Sequence, residues 1–289
     1  EVTTLYNEVY CVPTIVPTAN FNTVLYNGTG TTNAITGVGF TPDLVWTKGR
    51  NNVATTEHHR WTDSVRGTLL ALKSDSSDGE ESRTGGVQSF DSDGFTLGND
   101  GSYNFNGLLG VSWNWYAPTA QTNTSGTITS TIKKNVDAGF SIVKFNKTTN
   151  GSTASTFGHG LSAVPEMIIL KRTDATDDWY VYHKDLGNTI RISLNTTAAQ
   201  VTGTNLWGST SPTDSVFKLL GYNAGNAISY CFHSVDGMSR VGSYVGTGAV
   251  GNSIVTGFRP AYLMTKRTDT AGYNWMIWDN KRSPTNPRD

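Results

Sequence analysis

The run Gly257-Phe258-Arg259-Pro260-Ala261-Tyr262-Leu263-Met264-Thr265-Lys266-Arg267-Thr268-Asp269 decides how this chain is read, because two earlier stretches repeat it. The second copy is His159-Gly160-Leu161-Ser162-Ala163-Val164-Pro165-Glu166-Met167-Ile168-Ile169-Leu170-Lys171-Arg172-Thr173-Asp174. The first is Val38-Gly39-Phe40-Thr41-Pro42-Asp43-Leu44-Val45-Trp46-Thr47-Lys48. In each, a proline stands six residues before a lysine, with three or four apolar residues between them. Proline asks for no ladder N–H and suits the start of a strand. The apolar run fits a strand covered on both faces. The lysine is expected to return the chain to solvent. Nucleotide binding by these lysines is a poor reading, since no Gly-rich phosphate loop precedes them.

The repeat extends outward from these runs. Phe21 to Gly30, Phe140 to Asn146 and Arg240 to Gly248 each supply an apolar strand before the run. Trp61, Trp179 to Tyr182 and Asn274 to Trp278 supply an aromatic strand after it. Asp91 to Gly98 and Asp214 to Leu219 open closing hairpins. The closing strands carry Val111, Trp113 and Trp115 in one copy and Ile228, Tyr230 and Phe232 in the other, alternating with smaller or polar residues. Pro42, Pro165 and Pro260 are spaced 123 and 95 residues apart, a length that suits a β-sandwich or jelly roll. The reading is an N-terminal extension over 1–20, a first sandwich over 21–118 and a linker over 119–138. A second sandwich follows over 139–237, then a partial third over 238–289. Half a sandwich leaves a sheet edge and an apolar face uncovered. The natural chain is therefore expected to continue beyond Asp289, with strand exchange between protomers as the alternative.

Composition agrees with this. Of 289 residues only 16% are charged, against roughly 25% in an average soluble domain. Thirty-one glycines and 11% aromatics fit many short strands joined by turns. No window shows clear helical periodicity, and the best helix candidate, Asp63 to Ser74, reads as well as a strand. The fold class is all-β: tandem antiparallel sandwiches with the third copy incomplete. A net charge of −1 argues against a nucleic-acid binder. No stretch approaches the roughly 20 apolar residues of a membrane helix, and Glu1 to Tyr10 has no signal-peptide pattern. Two cysteines, Cys11 and Cys231, cannot form a disulfide framework; each is expected to be a buried or free thiol.

Gly37 to Trp46, Phe90 to Gly98, Gly158 to Leu161 and Gly257 to Pro260 resemble repeat domains in virion proteins of tailed bacteriophages, abundant in marine and cyanobacterial phages. The similarity covers most of the chain from Phe21 onward. It implies a concanavalin-like sandwich, a structural or host-adhesion role, and no established catalytic residues.

Candidate chemistry is sparse. Trp207, beside Asn205 among turn residues, is the best candidate for an exposed, sugar-stacking aromatic, and the Asn99 to Asn106 loop offers Tyr103 and Asn104. Most of the tryptophans sit in predicted strands and are expected in the core. Asp91-Ser92-Asp93-Gly94 resembles the opening of a calcium loop but lacks the later ligands. A tight turn before Phe95 is the preferred reading, with Ca²⁺ at Asp91 and Asp93 as the alternative. His58-His59 has no metal-ligand spacing. His159 reads as a turn residue rather than a base, and Glu80-Glu81 as part of a solvated loop. The expected function is non-enzymatic: a tail-fibre or other virion-surface component that assembles with other virion proteins and copies of itself and presents loops to a host-surface glycan. A stand-alone lectin module is the first alternative and a glycan depolymerase the second. The expected place is the virion surface or the extracellular space, with neither nucleic acid nor membrane as a partner.

Overall fold

The three proline-to-lysine runs all form strands in the computed structural model, which describes residues 15–51 and 57–283. The first unit contains β1 (Phe21–Asn27), β2 (Asn33–Ile35), β3 (Leu44–Gly49), β4 (Arg60–Asp63) and β5 (Leu70–Lys73). It continues through β6 (Glu81–Ser82), β7 (Val87–Asp91), β8 (Gly94–Leu97), a one-turn helix α1 (Gly101–Asn104) and β9 (Leu109–Trp115). One antiparallel sheet has the order β1-β9-β3-β4-β5-β6, and a smaller one the order β2-β8-β7. The second unit contains β10 (Thr119–Asn123), β11 (Ser130–Asn135), β12 (Phe140–Lys147), β13 (Ser155–Gly158) and β14 (Met167–Arg172). β15 (Tyr180–His183), β16 (Ile192–Ser193), β17 (Val216–Leu219) and β18 (Gly225–Phe232) complete it.

The repeat survives in topology and register. The large sheet of the second unit, β10-β11-β12-β18-β14-β15-β16, carries the order of the first after its two leading strands. Leu44 faces Trp115 and Trp46 faces Trp113; in the second unit Met167 faces Phe232 and Ile169 faces Tyr230. In the third, β19 (Tyr262–Thr265) pairs with β20 (Met276–Asp279), and Tyr262 faces Asp279 as Leu44 faces Asp63. The chain is all-β, built of antiparallel sandwiches, with the third unit incomplete among the described residues.

Two expectations need correction. Residues 119–138 are not a linker, because β10 and β11 extend the second unit's large sheet beyond β12. Their Thr and Lys content hid an edge hairpin whose outer face is wet. Arg240 to Gly248 is not a strand. In the first two units the matching strand hydrogen-bonds to the closing strand, and among the described residues the third unit has none.

Side-chain alternation sorts the core into three layers. Val45 and Ile168 point toward the small sheet of their own unit. Leu44, Trp46 and Ile169 point the other way, into a cluster shared by both large sheets with Trp61, Trp113, Trp179 and Tyr230. Tyr262, Met264, Trp275 and Ile277 of the third unit pack on that same cluster. The first two apolar runs are therefore strands buried on both faces, one face within a unit and the other between units; the third is covered on one face only, with Leu263 exposed on the other.

Candidate functional site

Each unit grips the preceding one with the segment that ends its marker strand. The Lys171 ammonium donates to the carbonyls of Ser77 (2.9 Å) in the first unit and Asp177 (2.7 Å) in its own. Lys266 repeats this with Thr196 of the second unit (3.4 Å) and with Tyr273. These lysines do not return the chain to solvent as expected: Lys171 is fully buried. Backbone carbonyls replace the water its charge would otherwise need. Burial still lowers its pKa from 10.5 to about 8, against the raising influence of Asp177 and Asp178.

The rest of the latch recurs in the same way. The Trp179 indole donates to the Lys73 carbonyl (2.8 Å), and the Trp275 indole to that of Ser193 (2.9 Å). Lys73 and Ser193 hold matching register positions on β5 and β16. The Thr173 carbonyl accepts from Glu80 N–H (2.7 Å), and that of Thr268 from Gln200 N–H (2.8 Å). In the repeated tetrapeptide, Arg172 pairs with Asp174 (2.7 Å) and Arg267 with Asp269 (2.8 Å), which shapes each turn. Tyr230 reaches back to Asp63 of the first unit (2.8 Å), and Trp113 of the first reaches Asp279 of the third (3.1 Å). The units therefore close head to tail: second on first, third on second, first on third.

Lys171→Met is expected to destabilise the fold by about 1–3 kcal/mol, because it keeps the packing but removes the ammonium from the half-buried Asp177 carbonyl and leaves the Ser77 carbonyl to Asp177 N–H (2.9 Å). Lys266→Met, at a half-exposed position, should cost less. Urea unfolding of the two variants checks the order.

Where the first two units meet, a groove of about 440 Å³ opens, lined by Lys73, Asp78, Glu80, Glu81, Asp174 and Thr176. Its carboxylates are already paired. Asp78 meets Lys73 (2.5 Å), Glu80 meets Arg66 (3.0 Å) and Glu81 meets Arg83 (2.9 Å). Such a surface can exchange hydrogen bonds with a hydroxyl-rich ligand.

The residues expected to bind glycan are placed differently. Trp207 is buried, edge-on to Tyr182 at 5.6 Å between ring centres. Its flanking turn folds inward because Leu206 and Trp207 both complete the second unit's inner core. Asn205 stays exposed. Tyr103 is buried under the Arg60 guanidinium (5.3 Å), and its carbonyl accepts from the Tyr26 hydroxyl (3.0 Å). Asn104 is a buried tether: its amide oxygen accepts from Thr29 N–H and the Asn33 side chain (both 2.9 Å), and its nitrogen donates to the Gly98 carbonyl (2.7 Å). Asp100 starts α1 by accepting from Ser102 N–H (2.9 Å). That turn rolls Tyr103 and Asn104 into the first unit rather than out from it.

Asp91 and Asp93 also have internal partners. Ser92 and Asp93 form the two-residue turn between β7 and β8, where Asp91 faces Gly94. Gly94 has φ +151, and a Cβ there would come within 2.0 Å of the Ile35 carbonyl oxygen. Asp91 accepts from the Thr96 hydroxyl (2.7 Å). Asp93 accepts from the N–H groups of Gly37 (3.0 Å) and Gly39 (2.7 Å), which hold its carboxyl below the usual range. This pins the loop before β3. Among the described residues no group of three or more His, Cys, Asp or Glu could hold a metal ion. His58 meets Asp75 (3.1 Å) and His59 accepts from the Trp46 indole (3.0 Å), so the adjacent pair points to separate partners. Cys231 is a buried free thiol whose pKa burial pushes up. Cys11 lies outside the described residues. Among the described residues no helix is long and apolar enough to cross a membrane.

His159 is fully buried, its Nδ1 accepting from Leu161 N–H (3.2 Å) and its Nε2 facing the Thr213 carbonyl (3.1 Å). Burial lowers its pKa from 6.5 to about 4. The unfolded chain therefore takes up the proton first. Its contribution is complete above pH 6.5 and falls as pH drops toward 4, by about 3 kcal/mol in all. Urea midpoints between pH 7 and 4 should fall less steeply for His159→Gln than for the wild type.

A family model described as a domain of unknown function (DUF7483) matches residues 16–289. No curated protein and no solved structure matches the chain.

Proposed function

We propose a structural and adhesive role for this chain, which belongs to the DUF7483 family: a non-enzymatic surface component of a phage virion, of the tail-fibre kind, that offers its loops to a host glycan. The observation that carries this reading is the repeated latch. Trp179 on Lys73 and Trp275 on Ser193 bond successive units in one geometry, so the chain builds a rigid body by repetition and spends its polar groups on holding units together. The groove at the first junction is the place for a glycan, because its polar lining sits on two rigid units. Tyr244, Val245, Val250 and Val255 on the third unit are exposed and suit contact with a neighbouring virion subunit. Each site would bind weakly, and avidity across copies would supply the attachment.

Two measurements test this. Immunoelectron microscopy with an antibody to the purified chain is expected to decorate phage particles banded from the source culture. Label confined to particle-free fractions sinks the virion role. Arrays of bacterial surface polysaccharides are expected to bind the wild type at least tenfold better than Ala175→Trp, which fills the groove. Equal binding removes the groove from the reading, and shortening of the polysaccharide replaces adhesion with depolymerisation.

A further inference from the structure

Two of the three marker strands are closed by a strand of one pattern. β9 lies between β1 and β3, and β18 between β12 and β14. Both read aliphatic, serine, aromatic, small or polar, aromatic: Val111-Ser112-Trp113-Asn114-Trp115 and Ile228-Ser229-Tyr230-Cys231-Phe232. Their register is also the same. Trp115 faces Leu44, Trp113 faces Trp46 and Val111 faces Lys48, as Phe232 faces Met167, Tyr230 faces Ile169 and Ile228 faces Lys171. A backbone bond fixes the end of each pair: Asp43 N–H donates to the Trp115 carbonyl (2.8 Å) and Glu166 N–H to that of Phe232 (2.7 Å).

β19 keeps half of this arrangement. On the β20 side the Ala261 carbonyl accepts from Asn280 N–H (2.9 Å), as the Asp43 carbonyl accepts from Ser64 N–H and the Glu166 carbonyl from Lys184 N–H (both 2.8 Å). On the other side, among the described residues, no strand pairs with β19, and the exposed Ala261 has no acceptor for its N–H. Side chains record the same gap. Trp46, Ile169, Trp61 and Val181 are buried, but Met264 and Ile277 at the matching positions are only half-buried. Lys171 is fully buried opposite Ile228, whereas Lys266 is half-buried.

We propose that this edge of β19 is the docking site of a strand donated by a separate polypeptide, one that carries the pattern shared by β9 and β18. The site continues an interface the chain already builds. The Tyr262 ring lies 5.3 Å from Phe21, 6.2 Å from Trp113 and 6.0 Å from Trp115, so the strand's place borders the aromatic cluster shared by the units. A second copy has no free strand of this pattern among its described residues, because β9 and β18 are each paired on both edges. The donated strand runs antiparallel to β19, with aromatics facing Tyr262 and Met264 and an aliphatic residue facing Lys266. Ladder bonds to the open backbone give affinity, and side chains at alternate positions give specificity. The middle aromatic also completes a set of head-to-tail contacts. Tyr230 reaches Asp63 (2.8 Å) and Trp113 reaches Asp279 (3.1 Å). The third such position belongs to His183, which faces Met167 as Asp63 faces Leu44. This docking is independent of glycan binding at the groove.

A synthetic peptide with the sequence of residues 109–116, Leu-Gly-Val-Ser-Trp-Asn-Trp-Tyr, and lysines added at both ends for solubility tests this on the full chain. It is expected to bind one to a chain and to slow amide hydrogen exchange over residues 261–266 roughly tenfold. A control peptide, in which each tryptophan trades places with the residue before it, turns the aromatics to the other face of the strand. It should bind roughly tenfold more weakly. Equal binding of the two would reduce the contact to apolar adhesion and overturn the proposal, as would binding that slows no amide in 261–266. Amides there that already exchange slowly without peptide also overturn it. Slowing that grows with protein concentration assigns the edge to a second copy, and slowing that does not assigns it to the chain itself. Fast amides with no peptide bound would show that the edge takes no strand.

Discussion

Asp63→Ala is expected to lower stability by about 3–5 kcal/mol, the cost of removing one partner from a buried ion pair. The Asp63 carboxylate is fully buried and accepts from Val65 N–H (3.1 Å), Arg66 N–H (2.9 Å), Arg66 Nε (2.5 Å) and the Tyr230 hydroxyl (2.8 Å). The first three bonds fold the turn after β4, and the fourth fastens the second unit to it. Without the carboxylate, a buried guanidinium keeps Glu80 (3.0 Å) and the Trp61 carbonyl (2.9 Å), while the Tyr230 hydroxyl loses its partner. The third unit repeats the turn with Asp279 and Arg282 (2.5 Å), but that guanidinium is 26% exposed. Water can then recover part of the loss, and Asp279→Ala should cost about 1–2 kcal/mol. Urea midpoints of the two variants give the comparison. Equal losses would mean that burial does not set the cost.

Trp179→Ala is expected to cost about 3–5 kcal/mol. Its ring is fully buried, 5.2 Å from Trp61 and 6.5 Å from Tyr230. The substitution opens a cavity where the two large sheets meet and leaves the Lys73 carbonyl to the longer bond from Ser76 N–H (3.3 Å). Trp179→Phe keeps much of the ring and loses the N–H, so it should recover more than half of the stability. Trp275→Ala, at the half-buried copy of the position, should cost less than Trp179→Ala. The same denaturation series reads all three. A Phe variant as weak as the Ala variant would assign the cost to the hydrogen bond rather than to packing.

The fold was largely legible because its signals are local. Proline, apolar run and lysine recur at fixed spacing, and the strands they mark share one register in three units. The edge hairpin of β10 and β11 was not legible, since its Thr and Lys residues look like a linker when one face of the strands is wet. The candidate site was legible in parts. The tetrapeptide Lys-Arg-Thr-Asp was visible as a repeat, but its use as a latch was not. Lys171 meets Ser77 across 94 positions of sequence and Trp179 meets Lys73 across 106, and no pattern within a strand records such partners. Trp207 and Asn104 sit in stretches rich in turn residues, where composition suggests exposure. A turn can roll its side chains inward as readily as outward.

By itself the sequence determined an all-β chain and, in its marker and closing strands, the faces that alternate, because period two and turn chemistry act over a few residues. Only the tertiary structure decided what covers the second apolar face. Two large sheets pack against each other, so Trp46, Trp61, Trp113 and Trp179 become core, and Trp207, suited to sugar stacking, is buried within the second unit. Lys171, suited to solvent, becomes a buried bridge, because carbonyls from two units converge on it at distances water would otherwise fill.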